Sequence, residues 1–298
     1  MPSLPCYPKN ECWQNIMNSM RKNYLLLSAL YLLATLLTVQ GADSLVDLSE
    51  PAQLRLQRPI LIAHRGGVVT ATAPECSLAA IKLAAKNGFS MVELDIQRSQ
   101  DGVAIVFHDE TLKRACGLKG KIADYPAAKL SEILYSGTKQ KVVNFNQALA
   151  LCSELRLGVM LDLKSGLEDE AFLELIDQDI IRHKLSKAVL SISSTPQART
   201  SLKHVMFKPT AEQMTLFRRG EKVELKGTFW FGLPKALPTK DVSRLQAMGA
   251  YVFPAINTFR YPKKGDRELA GKDIERLRSA GVDGFQIDSV YADLLKAR

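Results

Sequence analysis

The feature of this sequence that most constrains its fold is a recurring unit of an amphipathic helix, a glycine and a short apolar run. Residues 77–87 have apolar positions at helical spacing and are followed by Gly88 and the apolar run 89–96. The segments 241–248 and 273–280 are likewise followed by a glycine and an apolar run. A glycine just past a helix adopts the left-handed conformation that ends it, so each unit predicts a helix, a cap and a strand. Repeated units of this kind indicate strands and helices that alternate around a parallel sheet.

Eight apolar runs have the length and composition of strands. They are the segments Ile60–Ala63, 91–96, 103–107, 159–163, 188–192, 228–231, 251–253 and Gly284–Ile287. Eight strands that alternate with helices over roughly 250 residues are typical of a (β/α)₈ TIM barrel. A doubly wound open sheet is the alternative, but no glycine-rich dinucleotide-binding loop follows the first strand. We therefore predict an α/β protein with a single TIM barrel domain over residues 42–298.

Residues 1–41 do not resemble part of this barrel, and we interpret them as an upstream extension and a signal peptide. Two basic residues precede the apolar segment 24–37, which is followed by polar and small residues up to Gly41. This order is typical of a secretory signal peptide, and Met20 stands where such a peptide would begin. Cleavage near Gly41 would place the protein in the periplasm or outside the cell. The alternative is an uncleaved anchor that tethers the protein to the membrane.

Composition narrows the classes of partner. Of the 298 residues, 46% are hydrophobic, which excludes a disordered chain. The formal net charge of +9 attracts anionic ligands or anionic lipid surfaces. The basic residues are scattered, however, and they are not interleaved with aromatic residues, so no nucleic-acid partner is expected. We expect a small-molecule substrate. A membrane surface is not required, and no protein partner is implied.

Charged and imidazole side chains stand at the ends of four successive predicted strands, where TIM barrels carry their catalytic groups. In chain order they are His64 and Arg65, Glu93 and Asp95, His108 and Asp109, and Asp162 and Lys164. Taken alone, such a histidine is more often structural, two spaced carboxylates are more often solvated, and an Asp-x-Lys sequence is more often a salt bridge. A barrel brings its strand ends together, however, and so many polar groups would be costly there unless they served one site.

These residues resemble the motifs of the glycerophosphodiester phosphodiesterase family. Four short motifs follow the family's order and spacing. They are His-Arg-Gly at 64–66, Pro-Glu-Cys-Ser at 74–77, Glu-Leu-Asp at 93–95 and His-Asp at 108–109. The resemblance extends over residues 60–295. It implies a TIM barrel that hydrolyses glycerophosphodiesters to glycerol 3-phosphate and an alcohol, with a divalent cation as cofactor.

The resemblance also implies roles for individual residues. Glu93, Asp95 and Asp162 would hold one divalent cation, Ca²⁺ or Mg²⁺, which prefer such hard oxygen ligands. The two histidines, His64 and His108, would be the general acid and base, a task that suits imidazole near neutral pH. Which of them is the acid stays open, although we favour His108.

Four further positions complete the expected site. Arg65 offers a guanidinium fork for phosphate oxygens, and Lys164 offers a point charge. Glu75 is expected to orient a neighbouring basic group or a glycerol hydroxyl, and Asp288 is expected beside the residues that contact substrate.

Two positions depart from the family pattern. Cys76 stands where the family has Asn, and Asp162 stands where the third metal ligand is commonly Glu. The loops after the predicted first and third strands also place Cys76 and Cys116 on the same barrel face. In an oxidising compartment these two cysteines would be candidates for a disulfide.

Three interpretations of function remain at this level. The leading one is a metal-dependent glycerophosphodiester phosphodiesterase. The same fold would suit a lysophospholipase D or a sphingomyelinase-D-like enzyme that cuts larger lipids. Exposed apolar loops would favour that alternative, and residues 233–237 are the candidate stretch. A non-catalytic barrel that binds phosphodiesters is the third interpretation, and only Cys76 and Asp162 support it.

Overall fold

Ten strands are found in the computed structural model, which describes residues 44–295 except 57, 165 and 263–265. They are β1 (Ile60–Ala63), β2 (Met91–Arg98), β3 (Ala104–Val106), β4 (Val143–Asn144), β5 (Gly158–Leu163), β6 (Val189–Ser191), β7 (Met206–Phe207), β8 (Phe229–Gly232), β9 (Tyr251–Ile256) and β10 (Gly284–Ile287). Eight of them are parallel and are hydrogen bonded in the order β7-β6-β5-β2-β1-β10-β9-β8. A parallel bridge between Phe207 and Thr228 brings the two ends of this order together. The sheet is therefore a TIM barrel, as the sequence predicts.

One helix precedes β1, and the others lie between successive barrel strands. In chain order the helices are α1 (Pro51–Leu56), α2 (Leu78–Lys86), α3 (Lys113–Cys116), α4 (Ala127–Leu130), α5 (Phe145–Glu154), α6 (Glu170–Arg182), α7 (Pro196–Ser201), α8 (Ala211–Arg218), α9 (Thr239–Ala247) and α10 (Arg267–Ser279). Short polar side chains start most of the longer ones. For example, Ser77, Asn144 and Asp169 each accept a hydrogen bond from the backbone N–H three residues on, which otherwise has no partner in the first turn. Local sequence thus determines where these helices begin.

The structure corrects the predicted set of strands in two places. The predicted third barrel strand, residues 103–107, contains β3, which is antiparallel to β2 and to β4 and lies outside the barrel. His108 and Asp109 therefore follow a hairpin strand and not a barrel strand. The fifth barrel strand is instead β7, which is two residues long and was not predicted. Hydrophobic periodicity does not distinguish an antiparallel from a parallel partner, and two residues are too few to give a periodic signal.

The segment before α1 closes one end of the barrel interior. Val46 and Leu48 belong to the same buried apolar cluster as residues of the inner barrel wall, such as Phe229 and Phe253. The Tyr251 hydroxyl, at the amino end of β9, donates a hydrogen bond of 2.9 Å to the carbonyl of Leu48. The polar side chains predicted to form the site lie at the opposite end of the barrel, where the strands finish.

The predicted signal peptide lies outside the described residues and stays a prediction, as does the domain boundary at residue 42. Within the described part of the chain, every helix is too short or too polar to cross a bilayer.

A buried carboxylate joins three elements of the barrel. Asp283, which precedes β10, is fully buried, and its side chain accepts hydrogen bonds from Arg58 Nε (3.1 Å), Gln246 Nε2 (2.9 Å) and the backbone N–H of Val252 (2.9 Å). Asp283→Ala would leave these donors without their acceptor. We expect it to lower the free energy of unfolding by about 3 kcal/mol or more, measured by urea denaturation. Glu275→Ala, which removes an exposed acid from α10, is the control and should change the stability little. Equal losses in the two variants would contradict this role of Asp283.

Candidate functional site

A cavity of about 240 Å³ opens where the barrel strands end. Six of the residues predicted from the sequence line it, namely His64, Arg65, Glu93, Asp95, His108 and Asp162. The other three predicted residues contact members of this set: Lys164 contacts Asp95 and Asp162, Glu75 contacts Arg65, and Asp288 contacts His64. The barrel thus brings together residues that are up to 224 positions apart in the sequence.

A tight turn at the end of β1 places His64 and Arg65. Residues His64–Gly66 form a 3₁₀ turn in which Arg65 has a left-handed backbone with φ of 56°. The next residue, Gly67, has φ of 139°, and a Cβ there would lie 2.2 Å from the carbonyl oxygen of Ala80. Only glycine fits so close an approach of α2. The turn also directs the Arg65 backbone N–H to Glu93 Oε2, at 2.7 Å.

A carboxylate orients the His64 imidazole. Nδ1 of His64 lies 2.5 Å from Asp288 Oδ1, and Asp288 Oδ2 accepts a hydrogen bond of 2.6 Å from the backbone N–H of Thr258. Burial alone would raise the pKa of Asp288, but the hydrogen bonds from His64 and Thr258 outweigh it and lower that pKa. An ionised carboxylate only accepts hydrogen bonds, so Nδ1 carries the proton and Nε2 is the nitrogen left for a reacting group.

Three carboxylates form the floor of the cavity. Glu93 and Asp95 are two residues apart on β2 and point the same way, and Asp95 is in register with Asp162 on β5. One oxygen of each acid lies within 4.8 Å of the others, although the first two acids are each only 1% exposed. Burial and the charges of Asp95 and Asp162 raise the pKa of Glu93 well above its ordinary value. Three such neighbours ionise together only if nearby positive charge compensates them.

Part of this compensation comes from Lys164. Its ammonium lies 2.5 Å from Asp95 Oδ1 and 2.6 Å from Asp162 Oδ2. Burial alone would lower the pKa of Lys164, but the two acids outweigh it and raise that pKa. The expected contact of Lys164 with phosphate stays a prediction, since in this structure its partners are the carboxylates.

The donor chemistry of this acidic group fits a hard divalent cation. If all three carboxylates ionise, the single ammonium of Lys164 leaves two negative charges that a dication would balance. All the donor atoms are carboxylate oxygens, the ligands that Ca²⁺ and Mg²⁺ prefer. The residues that would hold such a cation are Glu93, Asp95 and Asp162.

A second group of acids, Glu75 and Asp109, lies beside His108, and both carboxylates pair with guanidinium groups. His108 Nδ1 lies 2.9 Å from Asp109 Oδ1, and Asp109 Oδ2 accepts a 2.6 Å hydrogen bond from Arg114 Nε on α3. Arg114 also pairs with Glu75, which accepts a 2.9 Å hydrogen bond from Arg65 Nη1. Burial alone would raise the pKa of Asp109, but Arg114 and His108 outweigh it and lower that pKa. Because Arg114 pairs with both carboxylates and Arg65 pairs with Glu75, this cluster is an ion-pair network, and it orients His108 and Arg65.

One donor of Arg65 has no partner. Its Nε is buried without a hydrogen-bond partner among the described residues. A buried donor of this kind is unfavourable unless a ligand atom pairs with it, and a phosphate oxygen has the right chemistry.

Sequence reasoning missed several residues at the cavity. Arg114 was not singled out, because no local pattern links a basic residue on a short helix to Asp109 and Glu75. Phe259 and Arg260 line the cavity from the segment after β9. Gln286 lines it as well, and a polar residue in the middle of the apolar run of β10 was the signal that could have found it.

The cysteines are all free in the described part of the chain. Cys76, Cys116 and Cys152 are buried and unpaired, so the structure contains no disulfide between the first two. The Sγ of Cys76 donates a weak hydrogen bond of 3.5 Å to Asp95 Oδ2. Burial and the charges of Asp95 and Glu75 raise the pKa of the Cys76 thiol well above its ordinary value. A thiol in this state does not act as a nucleophile.

Comparison with known proteins gives a consistent result. The profile of the Glycerophosphoryl diester phosphodiesterase family matches residues 64–252. Human Glycerophosphodiester phosphodiesterase 1 is 34% identical over 111 residues, which are 35% of this chain and 33% of that protein. Glycerophosphodiester phosphodiesterase of Caldanaerobacter subterraneus is 28% identical over 116 residues, 37% of this chain and 47% of that protein. The chain thus spans between a third and a half of the length of these curated relatives.

The fold is similar to that of solved structures. A phosphodiesterase from Oleispira antarctica, solved in complex with the product sn-glycerol-3-phosphate, superposes with a TM-score of 0.62 and 24% identity. The superposition covers 80% of this chain and 97% of that one. At this identity the likeness supports the barrel fold.

Proposed function

The chain belongs to the glycerophosphoryl diester phosphodiesterase family, and from this premise we propose that it hydrolyses glycerophosphodiesters to glycerol 3-phosphate and an alcohol. The observation that carries the proposal is one cavity in which three carboxylates face two imidazoles, each held by a carboxylate of its own. The two imidazoles can serve as proton acceptor and proton donor, and the three carboxylates would hold a cation whose positive charge lies beside the phosphate.

Binding of the phosphate falls to cationic groups. Arg65 lines the cavity with an unpaired Nε–H, which we assign to a phosphate oxygen. Glu93, Asp95 and Asp162 would hold Ca²⁺ or Mg²⁺. A bound dication supplies positive charge that polarises the phosphate toward attack. Lys164 keeps two of these carboxylates charged and fixed in place.

Proton transfer falls to the two histidines. His64 Nδ1–H donates a hydrogen bond to Asp288, and His64 Nε2 accepts the proton of the attacking hydroxyl. His108, oriented by Asp109, gives its proton to the alcohol oxygen as the P–O bond breaks. The nucleophile is either water or a hydroxyl of the glycerol. In the second case a cyclic phosphate forms first, and the same histidines then exchange roles.

Lysolipids are a second candidate class of substrate, and a specific observation favours them. The predicted apolar stretch 233–237 does not form an exposed patch, because Leu237 is 1% exposed and Pro234 is buried. Large apolar side chains are instead exposed in the segments after β1, β10 and β9, which are neighbours in the barrel: Val69, Val290 and Phe259. Phe259 also lines the cavity, and its exposed ring offers apolar surface to an acyl chain.

A panel of substrates tests both candidates. The protein is incubated with water-soluble glycerophosphodiesters and with lysophospholipids, under added Ca²⁺, added Mg²⁺ or EDTA. Release of glycerol 3-phosphate supports the first candidate, and release of lysophosphatidic acid supports the second. Failure to cleave any substrate with either cation would overturn both candidates and favour a barrel that only binds phosphodiesters.

For location we propose the periplasm or the exterior of the cell, because residues 1–41 have the layout of a signal peptide. Amino-terminal sequencing of the exported protein is the test. A terminus near Ala42 would support cleavage, whereas an intact terminus in a membrane fraction would support the tethered alternative.

A further inference from the structure

A second and larger groove adjoins the catalytic cavity. Its volume is about 730 Å³, against about 240 Å³ for the cavity itself. Its walls are the end of β2 with the two residues after it (residues 97–100), the insertion segment between β3 and β4 (residues 107–142) and the start of the loop after β5. His108 lines both spaces, so its imidazole stands on the wall that they share.

This arrangement separates the two halves of a phosphodiester. The cavity is smaller than the roughly 300–1,000 Å³ typical of small-molecule pockets, so it suits a phosphate with one small substituent. In the proposed mechanism the proton of His108 goes to the leaving oxygen, which must then lie within hydrogen-bond reach of the ring. The carbon skeleton attached to that oxygen therefore extends past His108 into the groove.

The groove offers hydrogen-bond donors. Arg98 lines it, and the ion pair of Arg98 with Asp169 spans 3.8 Å, too long for a hydrogen bond, so its guanidinium keeps donors for a ligand. The ammonium of Lys121 has three N–H donors, and one of them donates a hydrogen bond of 2.6 Å to Glu110. Gln100 adds a side-chain amide to the wall that carries Arg98. Such N–H donors can form hydrogen bonds with the hydroxyl oxygens of an alcohol.

The groove lacks the features that recognise a quaternary ammonium. That cation binds over aromatic faces or beside a free carboxylate. The described lining residues include no phenylalanine, tyrosine or tryptophan, and their one carboxylate, Glu110, is already paired with Lys121. Cationic residues outnumber the acid there, which makes the groove repel a second positive charge.

We propose that this groove is the leaving-alcohol subsite, and that it selects an alcohol with several hydroxyl groups and no cationic group. The proposal rests on the proposed function and refines it. Arg98, Gln100 and Lys121 would be the residues that set the preference, and none of them was singled out in the sequence.

Competition between two substrates in one mixture tests the proposal. Glycerophosphoglycerol and glycerophosphocholine are supplied together at equal concentration, and ³¹P NMR follows the disappearance of each. We expect the ratio of their kcat/KM values to favour glycerophosphoglycerol by at least about tenfold. Arg98→Ala and Lys121→Ala should each lower this ratio at least about threefold, the effect of losing one hydrogen bond to a charged donor.

A matched variant separates this specificity from general effects. Lys119→Ala removes a lysine of the same insertion segment that does not line the groove, and it should leave the ratio unchanged. A ratio near one or in favour of glycerophosphocholine, or an equal fall in all three variants, would overturn the proposal while leaving the proposed hydrolysis intact. If the wild type cleaves neither diester, the proposed function fails, and the subsite assignment fails with it. Thermal unfolding of each variant verifies that it is folded.

Discussion

His64→Ala and His108→Ala are each expected to lower kcat by at least about 10²-fold, the usual effect of removing one proton-transfer group. Both imidazoles line the cavity, and a carboxylate holds Nδ1 of each ring, at 2.5 Å for His64 and 2.9 Å for His108. Alanine removes the group that moves the proton but leaves the phosphate-binding Arg65 in place. We therefore expect KM to change less than kcat, as measured by steady-state release of glycerol 3-phosphate.

The chain contains a matched control for this prediction. His204 also pairs through Nδ1 with a carboxylate, Asp177, at 2.9 Å, but it does not line the catalytic cavity. His204→Ala removes the same chemical group from a similar ion pair and should leave kcat within about twofold, since it takes part in no proton transfer. If His108→Ala retains as much activity as His204→Ala, the assignment of His108 as the acid is wrong.

The parts of the site that were predictable lie on regular strands. Glu93 and Asp95 are two apart on a continuous strand, so their common direction follows from the strand period alone. The His-Arg-Gly motif was recognised from the sequence, and the structure shows why Gly67, which follows it, has no room for a side chain. Repeated helix, glycine and strand units were enough to predict the barrel.

The parts that were not predictable depend on partners distant in sequence. Residues 103–107 have the apolar composition of a barrel strand, but β3 pairs antiparallel with β2 because a short turn connects the two strands. Arg114 joins Asp109 to Glu75, which lies 39 residues away, and no periodic pattern reports such a contact. The contact of Lys164 with phosphate stays a prediction, and its additional ion pair with Asp95 follows from the register of β2 with β5, which the sequence does not reveal.

Removal of divalent cations is expected to lower kcat/KM by at least about 10³-fold, and added Ca²⁺ or Mg²⁺ should restore it. The physical reason is the acidic floor of the cavity, where three carboxylates face a single ammonium. Loss of a Lewis acid is worth several kcal/mol of transition-state stabilisation, and each 1.36 kcal/mol is about tenfold in rate. The measurement is release of glycerol 3-phosphate after dialysis against EDTA and again after titration with each cation.

Thermal stability gives a readout of the same site that does not depend on catalysis. A cation that binds only the folded chain stabilises it by RT ln(1 + L/Kd), where L is the free cation concentration, so Tm rises with the logarithm of L once L exceeds Kd. Ca²⁺ or Mg²⁺ should therefore raise the Tm of the wild type and have little effect on Glu93→Gln, which replaces a buried carboxylate with a neutral amide of similar shape. Glu110→Gln, which changes an exposed acid away from the carboxylate floor, should retain the full shift. Undiminished turnover in excess EDTA, together with a Tm that neither cation moves, would show that Lys164 alone neutralises these acids and that the hydrolysis needs no metal.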